Sequence, residues 1–123
     1  MPAPPSTVPL TVRQFTMEDF YCDEVLSGKT PVEKAFETEH VLAYHHTRPF
    51  WETHIVVIPK THVASLLTLD DDALLLELLE AVKQVAASVL AEKGAARVLT
   101  NLGDYQDSKH LHFHVNSGQI TAK

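Results

Sequence analysis

The chain has 123 residues, 45% of them apolar, a formal charge of −6 and one cysteine, Cys22. A chain of this length predicts a single domain, and its acidic balance argues against nucleic acid as a partner, because phosphate backbones call for a basic footprint. A lone cysteine excludes an internal disulfide and a cysteine-rich zinc site, and with no apolar run near the ~20 residues of a membrane span and no signal-peptide core, a cytoplasmic protein without membrane contact is expected.

Residues 1–11 carry Pro2, Pro4, Pro5 and Pro9 and read as a flexible, extended leader to one domain over 12–123. Residues 17–26 suit a short helix stopped by Ser27-Gly28, and Lys29-Thr30-Pro31 a turn. Strands are predicted over 32–38 and 40–45 with a tight turn at Glu39, and over the buried apolar run 54–58, closed by Pro59. The intervening loop, 46–52, holds His46, Arg48, Phe50 and Trp51.

The clearest helix spans 70–93. Asp70, Asp71 and Asp72 supply a cap and first-turn charge, and Lys93-Gly94 a cationic last turn and a terminating glycine. Leu74, Leu75, Leu78, Leu79, Val82, Val85, Ala86, Val89 and Leu90 form its apolar stripe. Leu76 stands off that stripe, which suits either broad packing on a sheet or a subunit contact. A strand over 95–100, a polar loop over 101–109 and a histidine-bearing strand over 110–115 complete the pattern. Runs of strands around one long helix indicate an α+β fold with a largely antiparallel sheet.

In that last strand His110, His112 and His114 alternate with Leu111, Phe113 and Val115, so three imidazoles share one face and three apolar side chains the other. Imidazole titrates near neutrality and serves as metal ligand, proton relay or nucleophile. Two histidines at this spacing can converge on a metal, with His54, His62, His45 or His46 as a third ligand. Asn101, Gln106 and Ser108, just upstream, offer the neutral hydrogen bonds that phosphate oxygens and ribose hydroxyls require. A neutral imidazole attacks phosphorus readily, and flanking imidazoles stabilise phosphoryl charge and move the leaving-group proton.

His110-x-His112-x-His114-Val115-Asn116 resembles the signature of the histidine-triad (HIT) family, with polar Asn116 at its last apolar position. The resemblance covers roughly residues 20–116. Gly28-x-x-Pro31, Phe36-Glu37-Thr38, Val41-Leu42-Ala43-Tyr44, Pro49, the run from His54 to His62, Ser65-Leu66 and Asn101 fall in the order of the family's Hint branch. It implies an α+β fold with an antiparallel sheet of about five strands, one long and one short helix, and a homodimer. It also implies hydrolysis of nucleoside phosphoramidates or related nucleotidyl conjugates, with a purine nucleotide as substrate and no metal or cofactor.

His112 matches the attacking histidine, which becomes nucleotidylated and is then released by water. His110 and His114 match its flanking partners, and His54 the upstream histidine that orients the nucleophile. Tyr21, Cys22, Val25 and Tyr44 resemble the base pocket, Asn101 and Gln106 fall where the family has them before the triad, and Ser108 joins them as a substrate-binding residue through its hydroxyl. His46 stands where an aspartate usually holds the ribose, and Asp107 where a serine or threonine often sits, with Lys109 or Arg48 available to offset its charge. A third histidine, where the nucleotidyltransferase branch has glutamine, favours hydrolysis. A dinucleoside polyphosphate hydrolase, a catalytically weak nucleotide-binding module and a metalloprotein are the alternatives.

Overall fold

β-Strand 3 (Trp51–Pro59) is the spine of the molecule, and in it Val56, Val57 and Ile58 are fully buried. In this computed structural model, which describes residues 21–29 and 31–121, it lies at the centre of a five-stranded antiparallel sheet. The predicted leader, the predicted helix before Tyr21 and Thr30 of the predicted turn lie outside the described residues. The strands β1 (Lys34–Glu37), β2 (Val41–His45), β3, β4 (Arg97–Leu99) and β5 (Phe113–Ile120) run in the order β1-β2-β3-β5-β4. This is the α+β architecture expected.

Both faces of the sheet are covered, which is why β2 and β3 read as continuous apolar runs rather than as alternating patterns. On one face Val41, Ala43, Ile55, Val57, Phe113 and Val115 pack with Leu78, Ala81, Val82, Val85 and Val89 of the helix α1 (Asp72–Lys93). On the other, Leu42, Tyr44, Val56 and Ile58 meet Tyr21 and Val25 from a single wide helical turn, Tyr21–Leu26. Val56 pairs with His114 and Val57 with Phe113, so the register puts His114 on the second face and Phe113 in the helix core.

α1 starts where its cap dictates. The Asp71 carboxylate accepts from the Leu74 N–H at 3.1 Å, and Gly94, at φ 82°, ends the helix with its N–H on the Leu90 carbonyl. The predicted stripe is wider than one sheet face: Leu79 and Leu90 are 39% and 54% exposed, and Leu76 is 67% exposed. Ala81, which the stripe omitted, is fully buried because only a small side chain fits where the helix approaches the sheet.

Strand ends differ from expectation. β3 begins at Trp51, inside the predicted loop, because Trp51 and Thr53 find partners in Ile120 and Ser117. β5 begins at Phe113 rather than His110, and the Leu111 N–H instead donates to the Val63 carbonyl at 2.6 Å. The alternation of faces nevertheless holds, with Leu111 in the helix core.

Glu77 of α1 latches the β1–β2 turn. Its carboxylate accepts from the Thr38 hydroxyl at 2.5 Å and the His40 N–H at 2.8 Å, and meets His40 Nδ1 at 2.9 Å. The Thr38 and His40 bonds hold the Glu77 carboxyl down at about 2, from an ordinary 4.5, so its stabilisation is present above pH 4.5 and lost as pH falls towards 2. His40 is raised by the same contact, so its share is present below 6.5 and lost as pH climbs through its raised value. The melting-temperature difference between wild type and Glu77→Gln is therefore expected to peak between about pH 4.5 and 6.5 and shrink on both sides. A difference independent of pH would refute the latch. Among the described residues no helix is long and apolar enough to cross a membrane.

Candidate active site

The β2–β3 loop, the segment leading into β5 and the wide turn at Tyr21 converge on the sheet face opposite α1. They enclose a cavity of about 560 Å³ lined by Tyr21, Tyr44, His46, Thr47, Arg48, Phe50, Asp107, Ser108, His112 and His114. His46, His112 and His114 line it, His54 and His110 do not, and hydrogen bonds fix the tautomers of all five.

The Phe50 N–H donates to His54 Nδ1 at 3.1 Å, so neutral His54 carries its proton on Nε2. That Nε2 lies 2.8 Å from His114 Nδ1 and donates to it, which leaves the proton of neutral His114 on Nε2. His112 is set the opposite way: its Nδ1–H donates to the His110 carbonyl at 2.7 Å, leaving the Nε2 lone pair unprotonated. His110, fully buried, donates Nε2–H to the Pro59 carbonyl at 2.8 Å and is not among the residues lining the cavity. His46 stacks on His54 with centroids 4.4 Å apart and accepts the Arg48 N–H on Nδ1, so its own proton also sits on Nε2.

Burial, helped by crowding, favours the neutral form of His46, His54, His112 and His114. Burial, then His46 and His112, pushes His54 down to about 4; burial, then His112, His54 and His46, pushes His114 to about 3. Burial also lowers His112, against the opposing effect of its bond to the His110 carbonyl, and lowers His46. Titration of the ring protons by NMR should give His54 and His114 midpoints well below 6.5, and a bound phosphate ester, whose charge offsets the crowding, should raise them. Ordinary midpoints in the free protein would contradict this packing.

Residues 27–120 match the model of the HIT domain. The chain belongs to the HIT family. Among its HIT relatives, an uncharacterised HIT-like protein of Azospirillum brasilense is 38% identical over 103 residues, covering 77% of this chain and 82% of that one. A HIT family hydrolase from Legionella pneumophila superposes with a TM-score of 0.70 at 28% identity, over 85% of this chain and 96% of its own. A hypothetical histidine triad nucleotide-binding protein from Sulfolobus tokodaii gives 0.74 at 27% identity, over 84% and 70% of the two chains.

The remaining residues singled out in the sequence divide into three groups. Tyr21, Tyr44, His46 and Ser108 line the cavity, and the Tyr21 ring lies 5.0 Å from that of His112. Burial raises the pKa of both tyrosine hydroxyls. Val25 packs behind the tyrosines, and Gln106, buried, ties the loop down through bonds from its amide to the Ala64 and Ser108 carbonyls at 2.7 and 2.8 Å. Asn101 is half-buried and is not among the cavity-lining residues, and the Cys22 side chain lies outside the described residues. Thr47 and the Phe50 backbone N–H, which the sequence reading did not single out, belong to the site; a main-chain donor leaves no mark in a side-chain pattern.

Proposed function

We propose that this protein is a nucleotide hydrolase that cleaves nucleoside phosphoramidates through a covalent nucleotidyl intermediate on His112. One observation carries the proposal: the His112 ring is held by its Nδ1–H on a carbonyl 2.7 Å away, with Nε2 unprotonated, in a cavity of about 560 Å³ walled by two tyrosines. Such a ring needs no general base to attack, and the His110 carbonyl stabilises the positive charge that develops on it. The tyrosine end suits a purine base, and His46 and Thr47 lie where the sugar would pass. Ser108 and the Nε2–H of His114 are the donors for the phosphoryl oxygens, with Gln106 tying down the loop around them.

When an anionic phosphoryl group binds, it offsets the burial and crowding that depress His114, which takes up a second proton on Nδ1 once His54 shifts its own proton from Nε2 to Nδ1 and gives up the Phe50 N–H. His112 Nε2 then bonds to phosphorus, the P–N bond breaks, and its electron pair goes to the leaving nitrogen, which takes the Nε2 proton of His114. Water next attacks phosphorus, gives a proton to His114, and displaces His112 as neutral imidazole. The names borne by the Legionella hydrolase and the Sulfolobus nucleotide-binding protein are consistent with this chemistry. Side-by-side turnover of an adenosine phosphoramidate and a dinucleoside polyphosphate tests it. Faster cleavage of the polyphosphate would replace the proposed substrate, and tight nucleotide binding with neither cleaved would make the protein a binding module.

We further propose a homodimer. β4 is an edge strand bearing Val98, 47% exposed, and α1 presents Leu76, Leu79 and Leu90 to solvent. Sedimentation should find a dimer that Val98→Arg combined with Leu90→Lys dissociates; a monomeric wild-type chain at micromolar concentration would refute it.

A further inference from the structure

Asp107 brings a carboxylate to a cavity that otherwise suits an anion. It lines the same wall as Ser108 and His112, and its charge acts on His112, His46 and Tyr21 alike. The segment on either side is pinned. Gln106 and Ser108 are each 6% exposed, and the Gln106 amide bonds hold the turn between them.

Among the described residues no ion pair offsets the Asp107 carboxylate. Lys109 turns its ammonium the other way, onto the Gly103 and Gln106 carbonyls at 3.2 and 3.0 Å. Arg48 lines the cavity too, and among the described residues neither it nor Asp107 is in an ion pair. A phosphoryl group attacked by His112 therefore shares its cavity with a carboxylate. A polyphosphate leaving group would add to that repulsion, a neutral amine would leave it unchanged, and an ammonium would relieve it.

We propose that Asp107 selects the leaving group, so that the preferred substrates are nucleoside phosphoramidates whose departing amine carries a second, positively charged group. This rests on the phosphoramidate hydrolysis proposed above. The bond changes are the same as in that reaction: the P–N electron pair goes to the leaving nitrogen with a proton from His114. The remote ammonium keeps its proton throughout and only neutralises Asp107.

The test uses the full chain and three adenosine phosphoramidates of equal leaving-group length, ending in methyl, ammonium or carboxylate. The expected order in kcat/KM is ammonium above methyl above carboxylate, by about three- to tenfold per step at low salt, narrowing as salt screens the charge. Asp107→Asn should bring the ratios towards one, Asp107→Lys should invert the order, and Asp107→Glu should keep it. Equal rates on all three substrates, or an unchanged order in Asp107→Asn, would overturn the selection while leaving the hydrolase standing. Cleavage of none of the three would overturn both.

Discussion

His112→Ala is expected to lower kcat for an adenosine phosphoramidate by on the order of 10⁴–10⁶-fold, since loss of a covalent nucleophile removes the whole two-step path. The residual rate would be what binding and the remaining donors supply to direct attack by water. The substitution should leave the fold intact, because among the described residues the His112 side chain contributes one hydrogen bond, from its Nδ1 to the nearby His110 carbonyl, and no strand pairing depends on it. Burst kinetics and a melting curve on the same preparation separate the two effects. A variant that melts like wild type and turns over normally would remove His112 from the chemistry.

The second large effect is on stability. Leu78 is fully buried where α1 crosses the sheet, among Val41, Ala43, Val57 and Phe113. Leu78→Ala should cost about 2–5 kcal/mol, because the lost transfer energy adds to a cavity the fixed sheet cannot close. At roughly 3–5 °C per kcal/mol for a domain of this size, the melting temperature should drop by about 6–25 °C. Leu76→Ala, on the side of the helix away from the core and 67% exposed, should move a monomer little. A Leu78→Ala drop of only a few degrees would mean that the helix does not seat on the sheet as described.

Much of this was legible in the chain. The uninterrupted apolar run from Ile55 to Ile58 gave the central strand because both of its faces are covered, and Asp71 and Gly94 marked the helix ends through their own caps. The alternation of His110, His112 and His114 with apolar neighbours gave the two faces correctly, although only His114 lies within the paired strand. Strand limits were not legible, since Trp51 and Glu52 join β3 only because residues 117–120 come alongside. There Gly118, at φ 86°, bulges over Glu52, and an added Cβ would collide with the Glu52 carboxylate.

The imidazole column was half visible. His54 stood out as the start of a buried run, but its bond to His114 spans sixty residues and depends on the β3–β5 register. The stacking of His46 on His54 depends on how the loop folds back, which no periodicity records. Asp107 was visible as a misplaced acid, and the structure adds that Lys109, its nearest cation in sequence, is turned onto carbonyls of its own loop.

The stereochemical course at phosphorus tests the central claim most directly. An adenosine phosphoramidate made chiral at phosphorus with sulfur is hydrolysed in isotopically labelled water, and the configuration of the product is read by NMR. Attack by His112 followed by attack by water makes two in-line displacements, each inverting, so the product should keep the configuration of the substrate. Inversion would mean that water attacks phosphorus directly and that no nucleotidyl-His112 forms.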